Sequence, residues 1–441
     1  MSLLRPAICL ATSVTLATTM SCGGSSSNLV GQGQDSGGSE SGATGDSASA
    51  GDSSGGDSGA QDSATGDSPN GGDTGMDAAV CRPLGAGDTD VYVDQTFTGS
   101  PRTGAAACPL QTIDAGIVMA AALTGKITIH VAGSAAGITY NEASVVAVGS
   151  NMILQGDGPA KTTISASGAC DEGSLGSKTC AVTVAGGGVV NGFTVASATG
   201  DGIVTAGANQ SPVVKNTAVK GCMGNGIVAL GGVELGPNIV ASNNVGAGVE
   251  SPANAAGVVH VANGMNAFDT NMWNGLNFDG RATLNFEGGT ASGDFQGIRL
   301  AGAASGGHTI TGLTAKNNKG PGGVVAYGGQ TIKMRSSTLL ANTGAGLLYD
   351  FVNGSTLDIG TGADPGGNTF GGATAANLDA VGIELCAAPA TLSAQGNRWS
   401  VCPATQAIIV CGNAIASYSD VAYHPAAAAS VIDTSGCTVG P

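Results

Sequence analysis

From Gly202 to Tyr349, apolar positions recur in a short phrase: a small or polar lead-in, a glycine, then Ile, Val or Leu. The phrase stands at Gly202-Ile203, Gly226-Ile227, Gly248-Val249, Gly275-Leu276, Gly297-Ile298, Gly323-Val324 and Gly346-Leu347, with glycine intervals of 24, 22, 27, 22, 26 and 23 residues. Recurrence in this range marks stacked repeats, each too small to bury its apolar face alone. Alternation makes the residue after each glycine inward and the next one outward. The outward series is Val204, Val228, Glu250, Asn277, Arg299, Val325 and Leu348. Helices would need a 3.6-residue apolar stripe, and each interior glycine would cost about 1 kcal/mol relative to Ala. Short strands separated by Gly and Asn turns are therefore expected.

A second register supports the stacking. Five residues before the repeat glycines stand Ser197, Gly221, Asn243, Thr270, Ser292, Asn318 and Ala341; one step on come Ala198, Cys222, Asn244, Asn271, Gly293, Lys319 and Asn342. Small residues and Asn at a fixed place suit a stacked bend, because Asn tolerates left-handed backbone and its amide can bond the next coil. The expected fold class is an all-β solenoid: a single-stranded parallel β-helix spanning 79–385. A Cys-rich C-terminal cap is expected over 386–441.

The amino-terminal segments carry a different signal. Arg5, an apolar run from Ala7 to Ala17 and Thr19-Met20-Ser21-Cys22 read as an export signal over 1–22. Residues 23–78 are almost only Gly, Ser, Asp, Ala and Thr, with nothing to bury, and read as a disordered tether. Its Gly-Asp-Ser repeats are the chain's pointer to calcium. They lack fixed geometry and bidentate Glu ligands, so they are read as solvated spacer, and no cofactor or metal is expected. The net charge is −16, which argues against nucleic acid as a partner.

Eleven cysteines include Cys9 in the signal and Cys22 at its end. In an oxidising compartment, spacing suggests bridges Cys81 to Cys108 and Cys170 to Cys180, and two more among Cys386, Cys402, Cys411 and Cys437. Cys222, in the bend register, is left as a buried structural thiol.

Two resemblances add to this. Thr19-Met20-Ser21-Cys22 resembles a bacterial lipoprotein signal, although Thr19 stands where an aliphatic residue is usual. The resemblance implies lipidation of Cys22, a membrane partner through that anchor and, with Gly rather than Asp following, placement at the outer membrane or cell surface. Asp90-Val91-Tyr92-Val93-Asp94, Cys108-Pro109-Leu110-Gln111-Thr112-Ile113, the stretch Lys126 to Val131, and Ile138-Thr139-Tyr140-Asn141-Glu142 follow in order. Together they resemble the opening segment of a pectate-lyase-like, right-handed parallel β-helix family that includes many bacterial surface proteins of unknown function. The family form implies a helix start at Thr112. By the residues themselves, Thr112 is an N-cap, Asp114 complements the helix dipole, and Ile113, Ile117, Ala120 and Ala121 form one face that covers the first coil.

Candidate chemistry concentrates in 268–299. Half of the eight Phe residues and one of the two Trp residues lie there among Asp269, Asp279, Arg281, Glu287, Asp294 and Arg299. Aromatic faces beside carboxylates and Arg suit a sugar-binding groove. Glu250, Trp273, Asn277, Arg281 and Arg299 are the ligand-binding candidates, with Glu250, Asn277 and Arg299 side by side on adjacent coils. The bland alternative is that the aromatics fill a wider coil and the charges are surface pairs. No Ser-His-Asp set, no metal-spaced His/Cys set and no polygalacturonase-type phrase occurs. The expected function is therefore a surface β-helix that binds glycan or another envelope component, or forms a structural layer. The alternative is a polysaccharide lyase or hydrolase acting through Asp269, Asp279, Asp294 and Arg299.

Overall fold

The computed structural model describes residues 81–439, apart from 173–175, 198, 208–209, 303–305, 353, 372–380, 390, 409–418 and 426–430. The signal with Cys22, the tether and Cys411 lie outside the described residues.

The chain folds as the expected right-handed parallel β-helix, with three faces of stacked strands. One face is an eleven-stranded sheet running from Asp90–Val93 to Thr356–Asp358. A second is a thirteen-stranded sheet whose strands carry the Gly-Ile/Val phrase. The third is split into five and six strands, joined through single-residue bridges at Ala267. The inward ladder of the second face runs Val182, Ile203, Ile227, Val249, Leu276, Ile298, Val324, Leu347, Ile383 and Val421, all at most 1% exposed. The outward ladder pairs the seven residues expected, from Val204 to Leu348.

The glycine of each phrase is required by close approach. A Cβ at Gly248 would lie 2.6 Å from the carbonyl oxygen of Gly275, and one at Gly275 would lie 2.6 Å from that of Gly297. Real Cβ atoms do not approach that closely, so a side chain at one coil would push the next away.

At the bend, Asn amides stack as expected, but in a corrected register. Cys222 N–H donates to Asn244 Oδ1, Asn244 to Asn271, Asn271 to Asp294, Asp294 to Asn318, and Asn318 to Asn342, over 2.6–3.2 Å. The ladder passes through Asp294 and Asn318, not Gly293 and Lys319, because the loop from bend to strand is not of constant length. Each ladder residue follows one in left-handed backbone: Gly221, Asn243, Thr270, Gly293, Asn317 and Ala341. Cys222 heads this ladder as a buried free thiol, and burial pushes it up to about 11.

The helix spans Ile113–Ala121 and packs on the first strands of all three faces. Thr112 Oγ1 caps it by accepting from Ala115 N–H, and Glu142 accepts from the N–H groups of Ile113 and Asp114. Its buried residues are Ile113, Gly116 and Ala120; Ala121 is exposed, contrary to expectation. Gly116 takes the central place because a Cβ there would meet Val93 at 2.8 Å.

Bridges Cys81–Cys108, Cys170–Cys180 and Cys402–Cys437 are present, and Cys386 is also disulfide-bonded. The C-terminal segment expected as a cap adds parallel strands: Ser419–Pro425 pairs Val381–Ala388, with a register shift between Leu385 and Ala388, and Thr438–Val439 pairs Arg398–Trp399.

Asp294 is the ladder's one carboxyl among amides. Asn271, Asn318 and Asn342 each donate an amide N–H to a backbone carbonyl of the coil before. Asp294 is fully buried and its Oδ2 has no partner. Burial pushes it up to about 8, so at neutral pH it carries a proton and can act as a donor as the amides do. Between about pH 4 and 8 the native state holds a proton that the unfolded chain has released, so this residue's contribution to stability falls as pH rises. Asp294→Asn should remove that slope and raise stability above pH 8 by about 1–3 kcal/mol, read from denaturant midpoints across pH.

Candidate functional site

From Val204 to Leu348 the outward ladder of the second face is apolar except over three coils. On one side Val204 and Val228 pack beneath the disulfide hairpin of Cys170 and Cys180; on the other, Leu348 packs against Ala345, Val381 and Ala422. Between them stand Glu250, Asn277 and Arg299, at one register on adjacent strands. Asn277 organises the group. Its Nδ2 donates to Glu250 Oε2 at 2.8 Å and to Asp279 Oδ2 at 3.0 Å, while its Oδ1 accepts from Arg299 Nη1 at 2.8 Å and from Asn274 at 3.2 Å. Arg299 also closes an ion pair on Asp279.

Glu250, Asn277 and Asp279 line a groove of about 420 Å³ together with Lys178, Met223, Asn225 and Trp273, and Arg299 reaches it through its bonds to Asn277 and Asp279. Trp273 is 63% exposed, and Met223 and Met272 beside it in the stack are exposed as well. Burial pushes Glu250 up to about 7; Asp279 adds to the shift, while the Asn277 bond and the positive charges of Arg299 and Lys178 oppose it. A carboxyl poised near neutrality in a groove can give or take a proton there.

Behind the wall lies a second acidic pair. Glu172 and Asp201 are both fully buried; burial and the facing Asp201 carboxyl hold Glu172 well above the carboxylate range. Lys178 Nζ lies 3.5 Å from Glu172, and Asp201 accepts from the N–H of Asn225. This pair sets the position of Lys178 and Asn225 in the groove.

Of the sequence candidates, Glu250, Trp273, Asn277, Asp279 and Arg299 converge. Asp269 and Asp294 do not. Asp269 lies at the bend, where it accepts from Thr290 and from Ser292 N–H, and Asp294 is enclosed in the amide ladder. Arg281 is exposed past the Gly280 turn and does not line the groove. The bland reading holds for three of the aromatics: Phe268, Phe278 and Phe286 are fully buried core. His308, also buried, accepts from Leu284 N–H and meets Gln330; burial keeps it neutral. His130 pairs with Asp90, and His260 lies between Glu234 and Glu287. Lys178, Glu172 and Asp201 were not among the sequence candidates. The available signal was an acid, acid and Lys inside a short disulfide loop beside the first coils. No group of three or more metal-ligating side chains occurs among the described residues.

The opposed charges around Glu250 give it a directional signature. Asp279→Asn should lower its midpoint from about 7, and Arg299→Gln should raise it. Carboxyl carbon shifts of Glu250 followed by NMR through a pH titration measure both.

No protein-family model matches the chain. No curated protein matches it either. Among solved structures, the A-module of a mannuronan C-5 epimerase from Azotobacter vinelandii is 16% identical, with 75% of this chain and 94% of that one covered and a TM-score of 0.41. The catalytic domain of an α-1,3-glucanase, solved with tetrasaccharides, is 14% identical, with 82% and 70% covered and a TM-score of 0.39. The likeness is to solenoid stacking alone.

Proposed function

We propose that this chain is a cell-surface β-helix protein that binds a saccharide of an extracellular or envelope polysaccharide in the groove over Glu250, Asn277 and Asp279. The observation that carries the reading is the exposed Trp273 beside a fixed polar ladder. An indole face offers apolar contact to a sugar ring, and the ladder beneath offers directional donors and acceptors. Exposing a Trp, and two Met side chains near it, to water has no benefit to the fold itself, whose aromatic core is already complete with Phe268, Phe278 and Phe286. The concavity over residues 206–258 is larger, about 640 Å³, but is lined chiefly by Gly and small polar side chains without a charge, and lacks such a platform.

The anchoring half of the proposal rests on the Thr19-Met20-Ser21-Cys22 phrase and on the 56-residue Gly/Ser/Asp stretch that follows it.

On a glycan array the full chain should bind a limited set of saccharides. Trp273→Ala should weaken that binding at least tenfold without moving the thermal midpoint, because the ring makes no part of the core. An array without binders, or undiminished binding by the variant, defeats the reading. For the anchor, Cys22→Ser should move the protein from the membrane fraction to the soluble one in cells that lipidate it; retention in the membrane would refute lipidation at that residue.

A further inference from the structure

We propose that the groove hydrolyses a glycosidic bond in a neutral saccharide, with Glu250 as proton donor and Asp279 as nucleophile, and with retention at the anomeric carbon. The inference rests on the saccharide reading of the groove and goes beyond binding, which is all the sequence favours.

The geometry comes from a single atom. Asn277 Nδ2 donates to one oxygen of Glu250 and one of Asp279, at 2.8 and 3.0 Å, so those two oxygens are no more than about 6 Å apart. Retaining glycosidases hold their two carboxyls roughly 5–5.5 Å apart, whereas inverting ones need about 6.5–9.5 Å to admit a water between acid and base. The pair in this groove falls on the retaining side. The two carboxyls also stand in unlike surroundings. Glu250 is 8% exposed and meets an amide; Asp279 is more open and is paired with Arg299. Two carboxyls so divided are suited to the roles of acid and nucleophile.

The charges choose the substrate. Arg299 is bound to Asp279, and Lys178 lies against Glu172, so both cations at the groove already face a carboxyl. Glu250, Asp279, Glu172 and Asp201 are four carboxyls against these two cations, so a uronate chain would meet no net positive charge, which points to neutral sugars stacked on Trp273.

In the first step the Glu250 carboxyl gives its proton to the glycosidic oxygen. The bond from that oxygen to the anomeric carbon breaks, its electron pair leaving with the oxygen, and Asp279 Oδ2 forms an ester to the carbon from the opposite face. In the second step a water oxygen attacks the same carbon, its proton passes to the Glu250 carboxylate, and the ester bond returns its electrons to Asp279. The sum is one water added across one glycosidic bond. Asn277 keeps the two carboxyls apart, and Arg299 orients Asp279; both act as positioning residues.

The test incubates the full chain with a panel of neutral gluco-, manno-, xylo- and galacto-oligosaccharides and follows reducing ends and anomeric configuration by NMR. Expected are reducing ends of retained configuration, a rate that falls above about pH 7 as Glu250 loses its proton with Lys178, Asp279 and Arg299 facing it, and losses of at least 100-fold in Glu250→Gln and Asp279→Asn. Because a variant could lose rate through misfolding, the wild type is also treated with 2-deoxy-2-fluoro glycosides of the same four sugars, and a peptide carrying the adduct on Asp279 is sought by mass spectrometry. Saccharides that bind but are not cleaved overturn the catalysis and leave the binding reading intact. Inversion, or an adduct on another residue, overturns the role of Asp279. A panel that neither binds nor reacts, together with an empty glycan array, removes both readings.

Discussion

One coil's backbone approaches the next so closely at the phrase glycines that no Cβ fits, and most other placements in the chain depend on that contact. The approach at Gly248, Gly275 and Gly297 fixes the register of the core residue that follows each. The bend just before each of these strands holds the same corner, Asn271, Asp294 and Asn318 each accepting a backbone N–H from the preceding coil. With that corner held by both contacts, variation in repeat length between 22 and 27 residues is absorbed elsewhere in the coil. A side chain placed outward on one coil therefore lies beside its equivalents above and below, and an ordered row of functional groups needs no further device.

The same constraint explains what could be read from sequence. Inward and outward assignment follows from parity after a glycine, so Ile203 through Leu347 and Val204 through Leu348 were legible. So were the bridges of Cys81 with Cys108 and of Cys170 with Cys180, which close short loops, and the cap at Thr112. The bend ladder was legible only in part: counting back from the glycine assumes a constant loop, and the loops before Gly297 and Gly323 differ by a residue in opposite directions. That slip hid Asp294, which was counted among the catalytic candidates and is a buried rung. The wall of the groove was not legible because Lys178 and Glu172 come from an antiparallel hairpin, Gly168–Asp171 with Ser177–Ala185 and the turn between them, which is inserted into the period.

Asp294 and Glu250 show how position decides what a raised carboxyl does. Both are buried by the stack, and burial is the first cause of the shift in each. Asp294 is enclosed on every side by the ladder, so its proton can only serve a neighbouring backbone group and the residue behaves as an imperfect Asn. Glu250 has the groove on its open side, so its proton is available to whatever enters. The difference is one of parity: one residue ends a bend facing the interior, the other follows a core Val and faces out.

The place of the groove along the solenoid follows from what covers the rest of that face. Outward Val204 and Val228 are roofed by the Cys170–Cys180 hairpin, and Leu348 is packed with Val381 and Ala422 where the last coils close. The uncovered gap holds Glu250, Asn277 and Arg299, two strand spacings or roughly 10 Å from first to last. Apolar side chains in such a gap would be exposed without a partner, and three isolated charges would gain little from one another in water. A charge, an amide and an opposite charge, with Asp279 closing the set, bond one another across the coils and leave their remaining edges toward Trp273. The covered flanks thus confine the polar ladder to the length of a short saccharide segment, and this is why the groove, and not the solenoid as a whole, is the unit to which a function is assigned.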